Sequence, residues 1–397
     1  MTSTQSKFGP AAWLKGTVAF FSSYGLAAGI FIFLLLLTYL GTLEQAELGL
    51  FLTQKKYFES LIVFHEAWGI PIPLPGVYLL LILLFINIML GGILRMRKGL
   101  SQIGVLIIHS GILLLLLGGL ITYEFSIDGH MTLYENERSN TFESYHEWEI
   151  ALGKRQPDGT VVEYIVPGNQ FSSLTPEQSM ILRNPEVPFD LALYGFAPNA
   201  TPRPKGPMFE VSQKVIDGFY LESLPMEPEH ERNVAGAYAQ AQLKNGGHAF
   251  DMILWGMQQQ PVSVTVDGES WTVDLRRRRW EVPFTVVLAD FRRELHPRTA
   301  MAKAFESDIY KIENGVEQKI NISMNKPLRH KGFTFFQASW GPQNAGPNDK
   351  LFSSFAVVKN PADRFPLYAC IVITFGMLVH FSMKLRKYLR AEGHRRA

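Results

Sequence analysis

The chain has 397 residues, of which 47% are hydrophobic and 19% charged, with a formal net charge of +2 at pH 7. So small a balance, placed mostly in short basic stretches beside apolar runs, gives no footprint for nucleic acid. A single cysteine, Cys370, excludes an internal disulfide, a C-x-x-C redox carrier and a C-x-x-C-H haem attachment site.

In chain order, Lys7 and Lys15 lead into an apolar stretch, Thr17 to Leu40, with FLLLL at its centre. About 20 apolar residues at helical rise cover roughly 30 Å, so this stretch predicts a first membrane span. A signal peptide is the competing reading, but the apolar core is too long and lacks an A-x-A pattern. Residues 42–76 are predicted to be external. Within them Tyr57, Phe58, Leu61, Ile62, His65 and Trp68 recur at three- and four-residue steps, the pattern of an amphipathic helix lying along the outer membrane surface. Docking under the larger domain is the alternative, and the stiff run P-I-P-L-P follows at residues 71–75. His65 is a candidate ligand there; an ordinary interfacial histidine is the plainer reading.

Val77 to Leu94 predicts the second span, and Arg95, Arg97 and Lys98 connect it to the third, about residues 102–122. His109 stands inside that third run, GVLIIHSGILLLLLGGLI. A titratable group at such depth is a functional-site candidate, with a histidine hydrogen-bonded to a neighbouring helix as the plainer alternative. Gly104, Gly111 and Gly118 recur every seven residues and, at about 100° per residue, lie nearly opposite His109. One face of the helix is therefore expected to pack closely on another span, the other to present the imidazole.

Residues 124–365 read as β-rich. V-S-V-T-V and W-T-V-D-L flank Asp267-Gly268, and Asn314-Gly315 separates SDIYKIE from VEQKINISM, two tight-hairpin signals. Further strands are predicted at Val161–Val166, Phe189–Tyr194, Phe284–Leu288, Phe333–Gln337 and Phe352–Val358, giving an antiparallel sandwich or barrel-like assembly. Ala197 to Gly247 reads as loops and short elements. No G-x-S-x-G, H-E-x-x-H or phosphate-binding glycine loop occurs. His130, His146, His230, His248, His296 and His330 show no metal-ligand spacing. The run Arg276–Arg279 beside Trp280 can meet an anion, a propionate or a lipid head, or stand salt-bridged at a strand end.

Residues 366–383 predict the fourth span, followed by a basic tail to residue 397 containing Lys384, Arg386, Lys387, Arg390, Arg395 and Arg396. All three basic groups fall on one side of a four-span arrangement, which predicts cytoplasmic termini and a periplasmic or extracytoplasmic segment 124–365 on a bacterial cytoplasmic (inner) membrane. The expected fold class is an α-helical polytopic membrane protein with four transmembrane helices and a large β-rich extracytoplasmic domain inserted between helices three and four. Its expected parts are 1–123, 124–365 and 366–397.

From Phe305 to Pro342 the chain reads FESDIYKIENGVEQKINISMNKPLRHKGFTFFQASWGP. This resembles the ResB/CcsB family of cytochrome c biogenesis proteins, in which a short strand pair leads to N-x-P-L and then G-x-x-x-x-Q-x-S, here Asn325, Pro327, Leu328, Gly332, Gln337 and Ser339. The histidine-bearing third span and SIDGHMTLYENE after it are similar to the family's pattern in the same order. The resemblance implies a subunit of a complex that delivers haem across the membrane for attachment to apocytochrome c, with haem b transiently bound or transported. It implies a non-catalytic subunit of a haem-lyase complex and a CcsA/ResC-type tryptophan-rich membrane partner, since the seven tryptophans here are scattered. Under it His109 becomes a haem-iron ligand. His380, about 5 Å from the inner end of span four against about 10 Å for His109, becomes a candidate second ligand. Gly376, one turn before His380, becomes a candidate point of haem contact. The competing class is a membrane-anchored envelope receptor or scaffold with a β-rich ligand-binding domain and no haem. A receptor ordinarily carries an output module beyond its last span.

Overall fold

The computed structural model describes residues 10–175, 177–208, 210–297, 302–342 and 349–396. The chain divides into a helical unit, Met1–Ser126 with Asn360–Ala397, and a β unit, Ile127–Lys359.

The helical unit contains α1 (Pro10–Phe21), α2 (Tyr24–Thr53), strands β1 (Ile62–Ala67) and β2 (Ile70–Pro75), α3 (Val77–Asn87), α4 (Ile103–Phe125) and α5 (Phe365–Arg396). Among the described residues four helical segments, 24–58, 77–94, 100–125 and 365–395, are long and apolar enough to cross a membrane.

The first of these begins later than the sequence pattern predicts, because the run breaks at Ser22–Ser23. Serine hydroxyls compete for backbone groups and favour caps over helix interiors. Ser23 accepts from the Leu26 N–H as the N-cap of α2. Buried Asn87 of α3 donates to the Phe21 and Ser23 carbonyls, at 2.7 and 3.0 Å, and so satisfies what the break frees. At its far end α2 outruns Leu40. It kinks at Gly49, whose φ of 77° a side chain would oppose, and ends in a π turn at Gln54–Phe58.

No amphipathic helix follows. The segment is a β-hairpin, β1 paired with β2 about Trp68-Gly69, both at positive φ. Pro71, Pro73 and Pro75 lack the N–H a helix requires. Gly76 N–H donates to the Leu61 carbonyl at 2.8 Å, so the alternation of an antiparallel ladder puts all three prolines at positions that make no ladder bond. The helical spacing over residues 57–68 arises from joining a π turn to a strand.

The β unit runs β3 (Ile127–Tyr134), β4 (Arg138–Arg155), β5 (Val161–Pro167), β6 (Ser179–Leu182), β7 (Phe189–Ala197), β8 (Ala200–Pro204), β9 (Phe219–Ser223), β10 (Gly236–Leu243), β11 (Phe250–Trp255), β12 (Val262–Val266), β13 (Glu269–Leu295), β14 (Ala302–Glu313), β15 (Val316–Ser323), β16 (Leu328–His330), β17 (Phe333–Gly341) and β18 (Phe352–Lys359). The main sheet has the order β15-β14-β13-β4-β3-β18-β17-β16, with β12 on β13 and β5 on β4; a second sheet reads β11-β10-β7-β6. The expected turns at Asp267-Gly268 and Asn314-Gly315 are present, and Lys331-Gly332 makes a third, each with two successive positive φ angles.

Two cores form on opposite faces of the long strands. Trp271, Val273 and Leu275 of β13 join Trp148, Ile150 and Leu152 of β4 over the second sheet, a sandwich. Past residue 280 the buried positions change parity to Val282, Phe284, Val286 and Leu288, which face a second core with Phe142, Phe335 and Phe355. There the sheet curls until β14 and β15 approach β17. Arg276–Arg279 occupy the crossover. The segment 197–247, read as loops and short elements, holds β8, β9 and β10, the last a central strand between β7 and β11. Its buried face is Ala237, Ala239 and Ala241, which pack the sandwich without β-branched bulk.

Candidate functional site

α4 carries His109 and the three glycines that position it. A Cβ on Gly104 would come within 2.6–2.8 Å of the His380 backbone and Cβ, one on Gly111 within 2.6 Å of Ile373, and one on Gly118 within 2.6 Å of Phe365. The glycine face therefore seats α5 at backbone distance, the close approach that small residues allow in membranes. At the other end of α4, Thr122 Oγ1 meets the Asn360 side chain, and Asn360 caps the Ala362 N–H at 2.8 Å.

Away from that face, His109 Nδ1 lies 3.2 Å from the Gly92 carbonyl, in the π turn Ile88–Leu94 that prolongs α3. A carbonyl only accepts, so Nδ1 carries the proton, and in the neutral ring Nε2 keeps its lone pair. Such second-nitrogen fixing is the arrangement of imidazoles that bind metals. Gly92 is required for it, since a Cβ there would stand 2.7 Å from Nδ1. One helical turn before His109, Leu106 borders a recess of about 430 Å³ lined also by Ile93, Lys98, Leu100, Gln102 and Ile103. Ile93 adjoins Gly92, and the wall is mostly apolar with one cation. An imidazole anchored through Nδ1 and, one helical turn away, a mostly apolar recess with a lysine are groups of the kind that would suit haem.

His380 does not join His109. Its backbone is seated on Gly104, about 140° around α4 from His109, and its ring contacts Phe381 at 5.8 Å. No ring contact links the two histidines among the described residues; compatible depth is not convergence. Nor does Gly376 leave room for a flat ligand. A Cβ there would meet the Ile108 nitrogen at 2.8 Å and the Gly104 carbonyl at 3.0 Å, so α4 itself fills that space.

His65 lies on β1 in a polar network that sequence spacing did not reveal. Its Nδ1 is 2.6 Å from the Tyr57 hydroxyl, and Tyr57 and Lys56 both donate to Glu44. Tyr57 is fully buried. With the Tyr57 proton given to Glu44, Nδ1–H of His65 donates to the phenol oxygen. This ties the hairpin to α2 and leaves a structural role for His65.

The block that carries the resemblance is structural as well. Ser307 donates to Gln337 Oε1 at 2.7 Å, Gln337 Nε2 donates to Ser353 at 2.7 Å, and the two serine hydroxyls are 2.8 Å apart, all buried. Leu328 belongs to the second core and Gly332 takes a φ of 81° in the β16–β17 turn. His330 pairs with Glu313 at 2.7 Å.

Residues 234–349 match the ResB-like family, and the block from Asn325 to Ser339 lies inside that stretch. Proteins named cytochrome c biogenesis protein CcsB are similar over shorter spans. The one from Synechococcus sp. (strain CC9902) is 36% identical over 69 residues, 17% of this chain and 16% of the relative. Those from Prochlorococcus marinus strains NATL2A and NATL1A are 39% and 37% identical over 70 residues, with the same shares. The matched stretch thus spans about a sixth of the length of these curated relatives.

Proposed function

We propose that this chain, related to the ResB/CcsB family through residues 234–349, is a membrane subunit of the machinery that matures cytochrome c, and that it holds haem as cargo through His109. The observation that carries this reading is the His109–Gly92 hydrogen bond, which engages Nδ1 and leaves Nε2 of the neutral ring for iron, one helical turn from Leu106 in the wall of an apolar recess. Iron takes a neutral imidazole without any counter-charge in lipid. Lys98 at the recess suits a haem carboxylate, and the basic loop beside it, Arg95 to Lys98, puts the recess at the cytoplasmic end of the spans under the positive-inside rule.

Haem acquired there and handed to a separate CcsA/ResC-type partner for attachment to apocytochrome c accounts for the lack of any catalytic constellation in this sequence. His380 acts in helix packing in this reading, and the partner supplies the second iron ligand. The test is purification with and without the co-expressed partner, followed by absorption spectroscopy of wild type, His109→Ala and His380→Ala. Loss of the haem bands in His109→Ala and their persistence in His380→Ala is the expected result; an unchanged spectrum in His109→Ala sinks the reading.

A further inference from the structure

Three of the four arginines at the crossover of β13 are ion-paired: Arg276 with Glu149 and Glu163, Arg278 with Glu147, Arg279 with Glu143. Arg277 is different. Its guanidinium lies 4.0 Å from the centre of the Trp148 ring, and Nη2 donates to the backbone carbonyls of Glu231 and Asn233 at 2.8 and 2.9 Å. Nη1 is shut away from solvent with no partner. Glu143 and Glu231 are close enough to favour the charge, yet neither ion-pairs with it, and burial pulls the guanidinium down to about 10.

His130 stands on the same face. β3 meets β4 at His130 and Glu143, and Glu143 pairs with Arg279, two residues along β13 from Arg277. His130 Nδ1 is also buried without a hydrogen-bond partner, and its ring stacks on Tyr145 at 5.2 Å. Between Glu143 and Trp148 the register of β4 slips, and Ser144 Oγ holds the bulge by accepting from the His146 and Glu147 N–H groups. Bulges of this kind re-aim side chains. This one brings His146 to His230, whose Nδ1 atoms are 3.2 Å apart, at the edge of the same cluster.

A half-buried cation without a counter-ion is costly, and orphaned buried polar atoms in a native fold call for partners. We propose that Arg277 and His130 form a binding site for a carboxylate, which takes hydrogen bonds from Arg277 Nη1 and from His130 Nδ1–H. Glu143 and Glu231 set the charge of the ligand. One added negative charge meets the uncompensated guanidinium, whereas a second would face two carboxylates, so a carboxylate fits and a phosphate dianion does not. The site stands independently of the haem reading.

The test uses the full-length protein in detergent, with thermal unfolding followed as sodium acetate replaces chloride at constant ionic strength. A saturable rise in the midpoint is expected, and acetate at ten times its dissociation constant should favour the folded state about elevenfold. Arg277→Gln and His130→Gln should each raise the half-saturating concentration about tenfold. Arg277→Lys should keep a weakened response, and it carries the test together with His130→Gln where Arg277→Gln does not fold. Arg278→Gln, whose partner is Glu147, should leave the response unchanged. Absence of a saturable acetate effect, its survival in Arg277→Gln, or a saturable effect with inorganic phosphate and none with acetate would each overturn the proposal.

Discussion

Gly104→Ala tests the packing that aims His109. The added methyl would stand 2.6 Å from the His380 nitrogen and 2.7 Å from its Cα, about 0.8 Å inside the 3.4 Å at which ordinary contact begins. The obstacle is backbone, so no rotamer change relieves it and α4 and α5 must separate. A radial gap of 0.5–1 Å forfeits roughly a quarter to a half of each contact's attraction, and overpacking of this kind costs about 1–3 kcal/mol. Gly119, on the same helix, has nothing within 4 Å of its added Cβ. There alanine should stabilise the helix by up to about 1 kcal/mol through propensity alone. The assay is equilibrium unfolding of full-length protein in mixed micelles, comparing Gly104→Ala, Gly376→Ala and Gly119→Ala. Equal effects at positions 104 and 119 would refute the argument that the glycine face seats α5.

Gly92→Ala places a methyl 2.7 Å from His109 Nδ1 and should shift or bleach any haem absorption, with less loss of fold stability than Gly104→Ala; an unaltered spectrum would separate Gly92 from the site. Gln337→Ala removes the centre of a buried hydrogen-bonded triad and should cost about 1–3 kcal/mol, read as a lower denaturation midpoint of the β unit. Burial lowers the pKa of His130; Arg277 lowers it further, and Glu143 and Glu231 oppose the shift. A depressed folded-state value means the unfolded chain binds the proton more readily. The stabilisation is therefore complete above the unfolded value, about 6.5, and falls as pH drops toward the folded value. Unfolding midpoints between about pH 7 and 5 should decline in wild type and flatten in His130→Gln; equal slopes would exclude His130 as the source.

What could be read from the sequence was what local chemistry decides. Asp267-Gly268 and Asn314-Gly315 specify their turns by backbone preference alone, and the glycines 104, 111 and 118 mark a close-packed face because their spacing closes on one side of a helix. Gly376 shows the limit of that reasoning: a glycine announces that something comes close, and only the fold reveals that α4 does. Asn87 binds carbonyls 64 and 66 residues away, and Tyr57 reaches Glu44 and His65 across 13 and 8 residues. Such partnerships have no periodicity. β10 stayed hidden because alanines fill its buried face, and the helix pattern over residues 57–68 was produced by two different elements meeting. His109 was conspicuous from the start, but its tautomer depends on a carbonyl 17 residues away.

The alternating prolines of β2 have one more effect. Their nitrogens face the free side of the hairpin, where a visiting strand would need N–H donors, and at Pro71, Pro73 and Pro75 there are none. The hairpin exposes Ile62, Phe64, Trp68 and Ile70, a surface that would otherwise invite sheet extension between copies. It can stay greasy against an apolar partner without becoming a template for aggregation.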